Sequence, residues 1–171
     1  MALNWVQLES GKPMALPNES FVHQSEKVKL SLSIPPSLEG PKRTVNGLGS
    51  LFITNQRLVF VQDGSAIVTP GEPAVSSYAL RTLAVAHTNV LSTAFNQPMF
   101  FGANSISMSF VSTPGGGLPS TGRNAHLDVT LDFAEGKVHE IWKTLEQARK
   151  KAGTAIADES WQRNQLPLYE P

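Results

Sequence analysis

Hydrophobic and polar residues alternate along several short stretches of this chain, which is the pattern of β-strands buried on one face. Residues 27–34 alternate strictly and stop at Pro35-Pro36, and residues 105–111 and 125–133 have the same period. In the last stretch the inward residues are predicted to be Leu127, Val129, Leu131 and Phe133, and the outward ones His126, Asp128, Thr130 and Asp132. The pattern predicts antiparallel strands that share one core.

The middle of the chain is predicted to form a β-hairpin. Residues 50–54 form one short strand, Asn55-Gln56 tolerate the backbone angles of a tight turn, and residues 58–61 return as an almost continuous apolar strand. A strand that is apolar on both faces needs cover on both faces, so we expect this hairpin to lie in the middle of the fold.

The period changes from two to about three and a half near the C-terminus, which indicates an amphipathic helix over residues 135–152. Basic residues at 149–151 suit its C-terminal end, and Gly153 is expected to terminate it. The apolar stripe contains Val138, Ile141, Trp142, Leu145, Ala148 and Ala152. The stripe accounts for Trp142, which we expect to pack into the core.

The remaining segments are less regular. The first 17 residues are broken by glycine and proline, and Trp5 is expected to be buried as the anchor of this arm. Residues 75–80 and 82–87 have a strand-like composition and predict two strands or one bent strand. Loops are expected at residues 35–48, 97–104 and 113–123, the last of them mobile because it is rich in glycine and proline.

Composition limits the classes of function. The chain has 171 residues, a size typical of one domain, and its 14 basic residues balance its 14 acidic ones, so no sequence-specific nucleic-acid binding is expected. It has no cysteine, which excludes disulfides and thiolate chemistry. No apolar run is long enough to span a membrane. We expect a monomer in the cytoplasm or the nucleus.

No catalytic or metal-binding pattern is apparent. The histidines His23, His87, His126 and His139 have no metal-ligand spacing, and His126 and His139 are expected to face solvent. The glycine run 115–117 leads into Pro119 and cannot open a phosphate-binding helix. No nucleophile elbow or convincing acid pair is present. We therefore expect neither an enzyme nor a cofactor.

The C-terminal end carries the motif Leu166-Pro167-Leu168-Tyr169, a variant of the Pro-Pro-x-Tyr ligand that WW domains bind. Pro167 favours an extended polyproline II backbone, and Tyr169 offers a flat ring with a polar tip for an aromatic groove. The motif predicts WW-domain proteins as partners.

Two segments resemble a known family. The run Gly49-x-Leu-x-Ile-Thr-Asn-x-Arg-Leu-x-Phe60 resembles the signature hairpin of GRAM domains, and residues 97–104 resemble the Gln-Pro-x-Phe-Gly-Ala-Asn segment of the WW domain-binding protein 2 family, with one inserted phenylalanine. The resemblance implies a mainly β, pleckstrin-homology-like GRAM domain: a partly open antiparallel barrel of about seven strands, capped by one C-terminal amphipathic helix.

The family further implies a non-enzymatic adaptor that serves HECT-type ubiquitin ligases or transcriptional coactivators. We expect an N-terminal arm at residues 1–20, the GRAM domain at 21–153 and a tail at 154–171. The chain departs from the family by lacking its long proline- and tyrosine-rich tail. Leu166 also replaces the first proline of its single motif.

Two alternatives remain open at this point. A phosphoinositide-binding surface module would use Lys42 and Arg43 in the loop, with Lys27 and Lys29 on the solvent face of the neighbouring strand. A protein-interaction domain would instead use its folded surface, with Tyr169 packed back onto it.

Overall fold

The computed structural model of the protein describes residues 2–36, 41–64, 80–98, 103–112, 115–118, 126–134 and 137–163. Along these residues the strands are β1 (Ala2–Leu3), β2 (Leu8–Glu9), β3 (Lys12–Pro13), β4 (Phe21–Ile34), β5 (Arg43–Thr54), β6 (Arg57–Gln62), β7 (Thr82–Ala86), β8 (Val90–Asn96), β9 (Ser105–Phe110) and β10 (Leu127–Phe133). A 3₁₀ turn (His87–Asn89) separates β7 from β8, and one helix, α1 (Val138–Arg163), ends the described part.

One antiparallel sheet contains all strands except β2 and β3, which form a small ladder of their own. Its order is β1-β7-β6-β5-β4-β10-β9-β8. The meander β4–β7 and the meander β8–β10 are joined where β4 pairs with β10, with Leu30 opposite Leu131. Strands β4 to β10 and the helix confirm the predicted seven-stranded, partly open barrel with a C-terminal cap.

The core lies inside the curled sheet and under the helix. The alternation predicted for residues 125–133 is confirmed, because Leu127, Val129 and Leu131 are fully buried and Asp128 is exposed. Helix α1 places Val138, Ile141, Leu145 and Ala148 in the same core. Trp142 is half-buried and packs against this cluster, as predicted. Full burial of one such leucine contributes about 2 kcal/mol, so the helix stripe is a substantial part of the core.

Strand β6 is covered on both faces, as its composition predicts. Leu58 and Phe60 belong to the main core, whereas Val59 and Val61 face the other side of the sheet. There they form a second cluster with Phe52 and Ala84, and Val6 of the N-terminal arm packs against it. The arm is therefore the second cover of the central hairpin.

The residue that anchors the start of the arm differs from the prediction. Trp5 is 69% exposed, so the expectation that it is buried is wrong. Leu3 is buried instead, at 4% exposure, because β1 pairs with β7 and directs this side chain into the core. A strand of only two residues has no periodicity, so the sequence pattern does not reveal it.

The loop predicted at residues 35–48 is shorter than expected. Strand β5 begins at Arg43 and pairs with β4 along its length, so residues 43–48 are strand. Gly47 and Gly49 are close-approach positions within this strand: a Cβ on Gly49 would lie 2.0 Å from the carbonyl oxygen of Val61. Glycines that suggested a loop are thus required by the packing of a strand.

Three further boundaries differ. Strand β8 was not predicted, and β7 stops at Ala86, so His87 lies in the 3₁₀ turn. Helix α1 starts at Val138 and continues through Gly153. This glycine is exposed, and a Cβ added to it would have no atom within 4 Å. The predicted stop fails because one glycine costs a helix only about 1 kcal/mol, and no proline or further glycine follows it before Arg163.

Several predictions fall partly outside the described residues. The strand at residues 75–80 lies there except for Leu80, which is buried. Of the predicted mobile loop, residues 115–118 are described and they pack against the arm. Leu118 is buried in the core, and the carbonyl of Gly116 accepts a hydrogen bond of 2.8 Å from the Leu3 amide.

The two glycines at positions 49 and 153 give opposite predictions. In Gly49→Ala the new methyl group would collide with backbone, which no rotamer change relieves, so the free energy of unfolding should fall by about 3 kcal/mol or more. In Gly153→Ala it should stay the same or rise by up to about 1 kcal/mol. Urea denaturation of both variants measures this, and a Gly49→Ala variant as stable as the wild type would show that β5 and β6 do not approach as described.

Candidate functional site

The signature turn between β5 and β6 is built around a buried ion pair. The guanidinium of Arg57 donates from Nε to Oε1 of Glu19 at 2.8 Å and from Nη2 to Oε2 at 3.0 Å. The Glu19 side chain is 0% exposed and that of Arg57 14%. The Thr54 hydroxyl, 2.8 Å from Oε1, and the Leu16 amide, 2.6 Å from Oε2, complete the partners of this carboxylate.

The same turn holds the arm through its amide side chains. Asn55 accepts a hydrogen bond of 2.8 Å from the Ser20 amide and donates one of 3.0 Å to the carbonyl of Asn18. Gln56 donates to the carbonyl of Pro17 at 3.0 Å. The polar residues of the GRAM-like signature therefore clamp residues 14–20 against the hairpin, and their role in this structure is to position the arm.

The pKa of Glu19 reflects this environment. Burial alone would raise it, but the hydrogen bonds from Arg57, Leu16 and Thr54, together with the charge of Arg57, outweigh burial and lower the pKa below its ordinary value of 4.5. A carboxyl whose pKa is lowered on folding stabilises the fold above its unfolded pKa. That contribution is lost as the pH falls through the folded value.

His87 is the buried titratable group on the other side of the turn. It is almost completely buried, and its Nε2 donates a hydrogen bond of 2.8 Å to the carbonyl of Thr54. Its Nδ1 has no hydrogen-bond partner among the described residues. Burial lowers the pKa of His87 most, the Thr54 carbonyl opposes this, Arg149 lowers it further and Glu19 raises it. The neutral ring is therefore favoured where β7, the turn and helix α1 meet.

The four cations predicted to bind phosphoinositides are distributed along one strand pair. Arg43 lies opposite Ile34, whereas Lys29 lies opposite Leu48 and Asp132. Lys29 and Ile34 are five residues apart on β4, which is about 17 Å at about 3.3 Å per residue.

Lys27 lies still farther along β4. It occupies a bulge between Ser25 and Val28, with a φ of 56°. The structure thus places Lys42 and Arg43 together at one end of the sheet, and Lys27 and Lys29 at a different level of it.

A group of aromatic side chains lines the gap between β8 and the start of α1. The rings of His139 and Trp142 stack, with centroids 5.8 Å apart, and Phe95 lies 5.3 Å from His139. The Trp142 indole donates a hydrogen bond of 3.0 Å to the Thr93 hydroxyl, which fixes the helix on the strand. A cleft of about 480 Å³ opens beside Phe95 and His139.

The predicted WW ligand, Leu166, Pro167 and Tyr169, lies outside the described residues, as do residues 99–102 of the segment that resembles the adaptor family. Helix α1 continues to Arg163. In the described ranges no three histidine, aspartate or glutamate side chains gather as metal ligands would. Nor does any described helix combine the length and apolarity that a membrane span needs.

Sequence reasoning missed several residues of this region. No sequence pattern marks Glu19 as a functional residue. Arg57, between the apolar stretches of β5 and β6, does indicate that a carboxylate partner exists. His87 was placed in a strand and so received no buried role. Thr93 and Phe95 were missed with β8, whose register slip near Ser92 breaks the alternation that marks a strand.

Comparison with known proteins identifies both a relative and the fold. The chain is 32% identical over 155 residues to the UPF0664 stress-induced protein C29B12.11c of Schizosaccharomyces pombe, a match that covers 86% of this chain and 77% of the relative. No family model matches the sequence.

Two solved structures are similar in fold. The Vps36 N-terminal PH domain aligns with a TM-score of 0.59 at 14% identity, covering 90% of this chain and 96% of that domain. A chain of the 8S snRNP assembly intermediate aligns with a TM-score of 0.50 at 12% identity, covering 81% and 88%. At these identities the likeness concerns the fold alone, and that fold is pleckstrin-homology-like.

Removal of the Arg57 guanidinium should be strongly destabilising. Arg57→Ala leaves a buried, unpaired carboxylate, so the free energy of unfolding at pH 7 should fall by about 3 to 5 kcal/mol. Arg81→Ala, at an exposed arginine, is the control and should change it by less than about 0.5 kcal/mol.

The ion pair also predicts how the destabilisation by Arg57→Ala depends on pH. Below pH 4.5 the wild type should lose the contribution of Glu19 while the variant has little left to lose, so the gap between their unfolding free energies should narrow in acid. Urea titrations at pH 7 and in acid check this. A gap that stays constant with pH would contradict the ion pair.

Charge reversal tests the phosphoinositide prediction at both ends of the sheet. If Lys42 and Arg43 form the lipid site, Lys42→Glu with Arg43→Glu should abolish flotation with anionic liposomes. Lys27→Glu with Lys29→Glu, at the other level of the sheet, is the matched control and should weaken it only slightly. Equal effects of the two pairs would indicate diffuse attraction, and no effect of the first pair would rule out this loop.

Proposed function

Because the chain belongs to the UPF0664 family and has a pleckstrin-homology-like fold, we propose that it is a non-enzymatic adaptor that presents its Leu166-Pro167-x-Tyr169 motif to WW-domain proteins. HECT-type ubiquitin ligases and transcriptional regulators, in the cytoplasm or the nucleus, are the proposed partners. The resemblance to the WW domain-binding protein 2 family motivates the choice of WW domains.

The course of helix α1 is the observation that carries this proposal. Ala148 is buried and Ala152 half-buried, whereas Lys150, Lys151, Gly153 and Thr154 are exposed. The helix still continues to Arg163, about 22 Å beyond Ala148 at about 1.5 Å per residue. Tyr169 follows six residues later. A motif attached to the far end of such a helix is suited to capture by another protein.

The non-enzymatic part of the proposal is supported by two buried ionisable groups, Glu19 and His87. The carboxylate of Glu19 has its donors supplied by Arg57, Thr54 and Leu16, so it has no capacity left to bind or protonate a substrate. His87 is inaccessible to solvent and its proton-bearing nitrogen is engaged by Thr54. Both groups serve the packing of the turn.

A second candidate function is interaction through the folded surface. Six large apolar side chains of the first 22 residues are exposed: Trp5, Leu8, Met14, Leu16, Phe21 and Val22. They lie on or next to the arm, and Phe21 is in edge contact with Phe52 of the cluster beneath it. Apolar side chains gathered in one segment are typical of docking surfaces. This candidate predicts binding that survives loss of the tail.

The tail proposal predicts a specific response to single substitutions. A fluorescent peptide of residues 165–171 should bind at least one domain of a WW panel with an affinity of about micromolar or weaker. Tyr169→Ala should abolish binding, because the ring fills the aromatic groove. Leu168→Ala, at the variable position of the motif, is the matched control and should retain it.

The same variants in the full chain separate the two candidates. An unchanged thermal midpoint in Tyr169→Ala, with lost WW binding, fits a presented ligand. A clearly lower midpoint would mean that Tyr169 packs on the domain, and the adaptor proposal would lose its main residue. Absence of binding to every WW domain would also reject it.

A further inference from the structure

The sheet ends on one side at strand β8. β9 is the neighbour of β8 in the strand order, and no strand follows on its other side among the described residues. Half of the backbone amide and carbonyl groups of such a strand point away from its only neighbour. Residues 91, 92, 94 and 96 are exposed, so much of this strand is accessible to solvent.

Apart from a register shift between Val90 and Ser92, the edge lacks the features with which proteins usually protect a free strand. β8 has the sequence Val-Leu-Ser-Thr-Ala-Phe-Asn, which contains neither a charged residue nor a proline. Leu91 is 55% exposed on it. A seven-residue, uncharged edge would normally be a liability for aggregation, and a partner strand that pairs with it removes that liability.

Helix α1 packs along β8, and the space bounded by the helix and the free edge of β8 is called the groove below. It crosses β8 so that His139 contacts Phe95, and Trp142 and Glu146 hydrogen bond to Thr93. The cleft of about 480 Å³ beside these contacts is lined by the rings of Phe95 and His139 and by the amide side chains of Gln97 and Asn104, together with Lys137 and Glu140.

The charges around the cleft indicate the chemistry of its occupant. Lys137 and Glu140 pair with each other at 3.8 Å on the rim, so the local net charge is zero. An acidic or a basic side chain would gain little there. An uncharged aromatic side chain would stack on the rings and reach the rim amides with any hydroxyl it carries.

We propose that the groove between β8 and α1 binds an extended segment of a partner protein, which adds to the sheet as a further strand and inserts an uncharged aromatic side chain into the cleft. Backbone pairing with the edge supplies affinity, and the cleft supplies selectivity. This site is separate from the tail, so it does not depend on the proposed WW interaction.

The chain's own Tyr169 does not fit as the occupant. His139 and Arg163 are about 36 Å apart along the helix, at about 1.5 Å per residue. Tyr169 lies six residues past Arg163, and a fully extended chain of that length spans at most about 22 Å. Tyr169 is therefore excluded, and the proposed occupant is a segment of another molecule.

The test uses the full chain and a displayed library of random peptides of about ten residues with one fixed aromatic position, long enough to pair along β8. Binding peptides should be enriched, and the amide resonances they shift should map to β8 and to the start of α1. His139→Ala should weaken the enriched peptide by about fivefold to tenfold, because it removes one ring from the cleft. His126→Ala, at another exposed histidine, should have no effect.

Methylation of the peptide's backbone nitrogens, one at a time, tests the binding mode. An added strand points alternate amides at the edge, so every second methyl group should abolish binding and the others should be tolerated. A library without any binder, shifts confined to the arm, or losses without this period of two would each overturn the proposal. Thermal melts of both histidine variants confirm that they fold.

Discussion

Strand β6 has apolar side chains on both faces, and much of the structure follows from the need to cover both. The barrel interior and helix α1 cover one face, with Phe60 at its centre. Without a second layer on the other face of the sheet, Val59 and Val61 would be exposed to water. The N-terminal arm supplies the missing layer, so this short segment is part of the domain's packing even though it contains little regular structure.

The arm can serve as a cover only if it is fixed, and the turn that ends the hairpin fixes it. Arg57, Thr54 and Asn55 all direct polar groups to residues 14–20. The clamp also buries the side chain of Glu19, so loss of a partner would leave its charge unpaired away from solvent. The polar residues of the hairpin motif therefore attach the N-terminal arm to the β5–β6 turn.

Those elements whose residues repeat with a single period could be predicted from the sequence. The alternation in β10, the two-sided apolar run of β6 and the helical stripe from Val138 to Ala148 all reflect burial by neighbours on a constant face. The long β5 could not be recognised, because Gly47 and Gly49 are selected by the close approach of other residues, which the local sequence does not show.

The same limit applies to the candidate sites. Glu19 is defined by an arginine 38 residues away, and the groove by a strand and a helix that meet only in the fold. The exposure of Trp5 and the burial of Leu3 depend on which of them faces β7. The roles of individual residues with long-range partners therefore cannot be predicted from the local sequence pattern, even where the architecture can.

The pairing of β4 with β10 also constrains the order in which the sheet can form during synthesis. The two strands are separated by about one hundred residues, whereas β4 and β5 are adjacent, so the first meander can form long before its second neighbour exists. At about 5 to 20 residues per second, the ribosome needs several seconds to deliver β10 after β4 has emerged. During that interval the free side of β4 is a second open edge in the nascent chain, and it is closed only when synthesis of the domain is nearly finished.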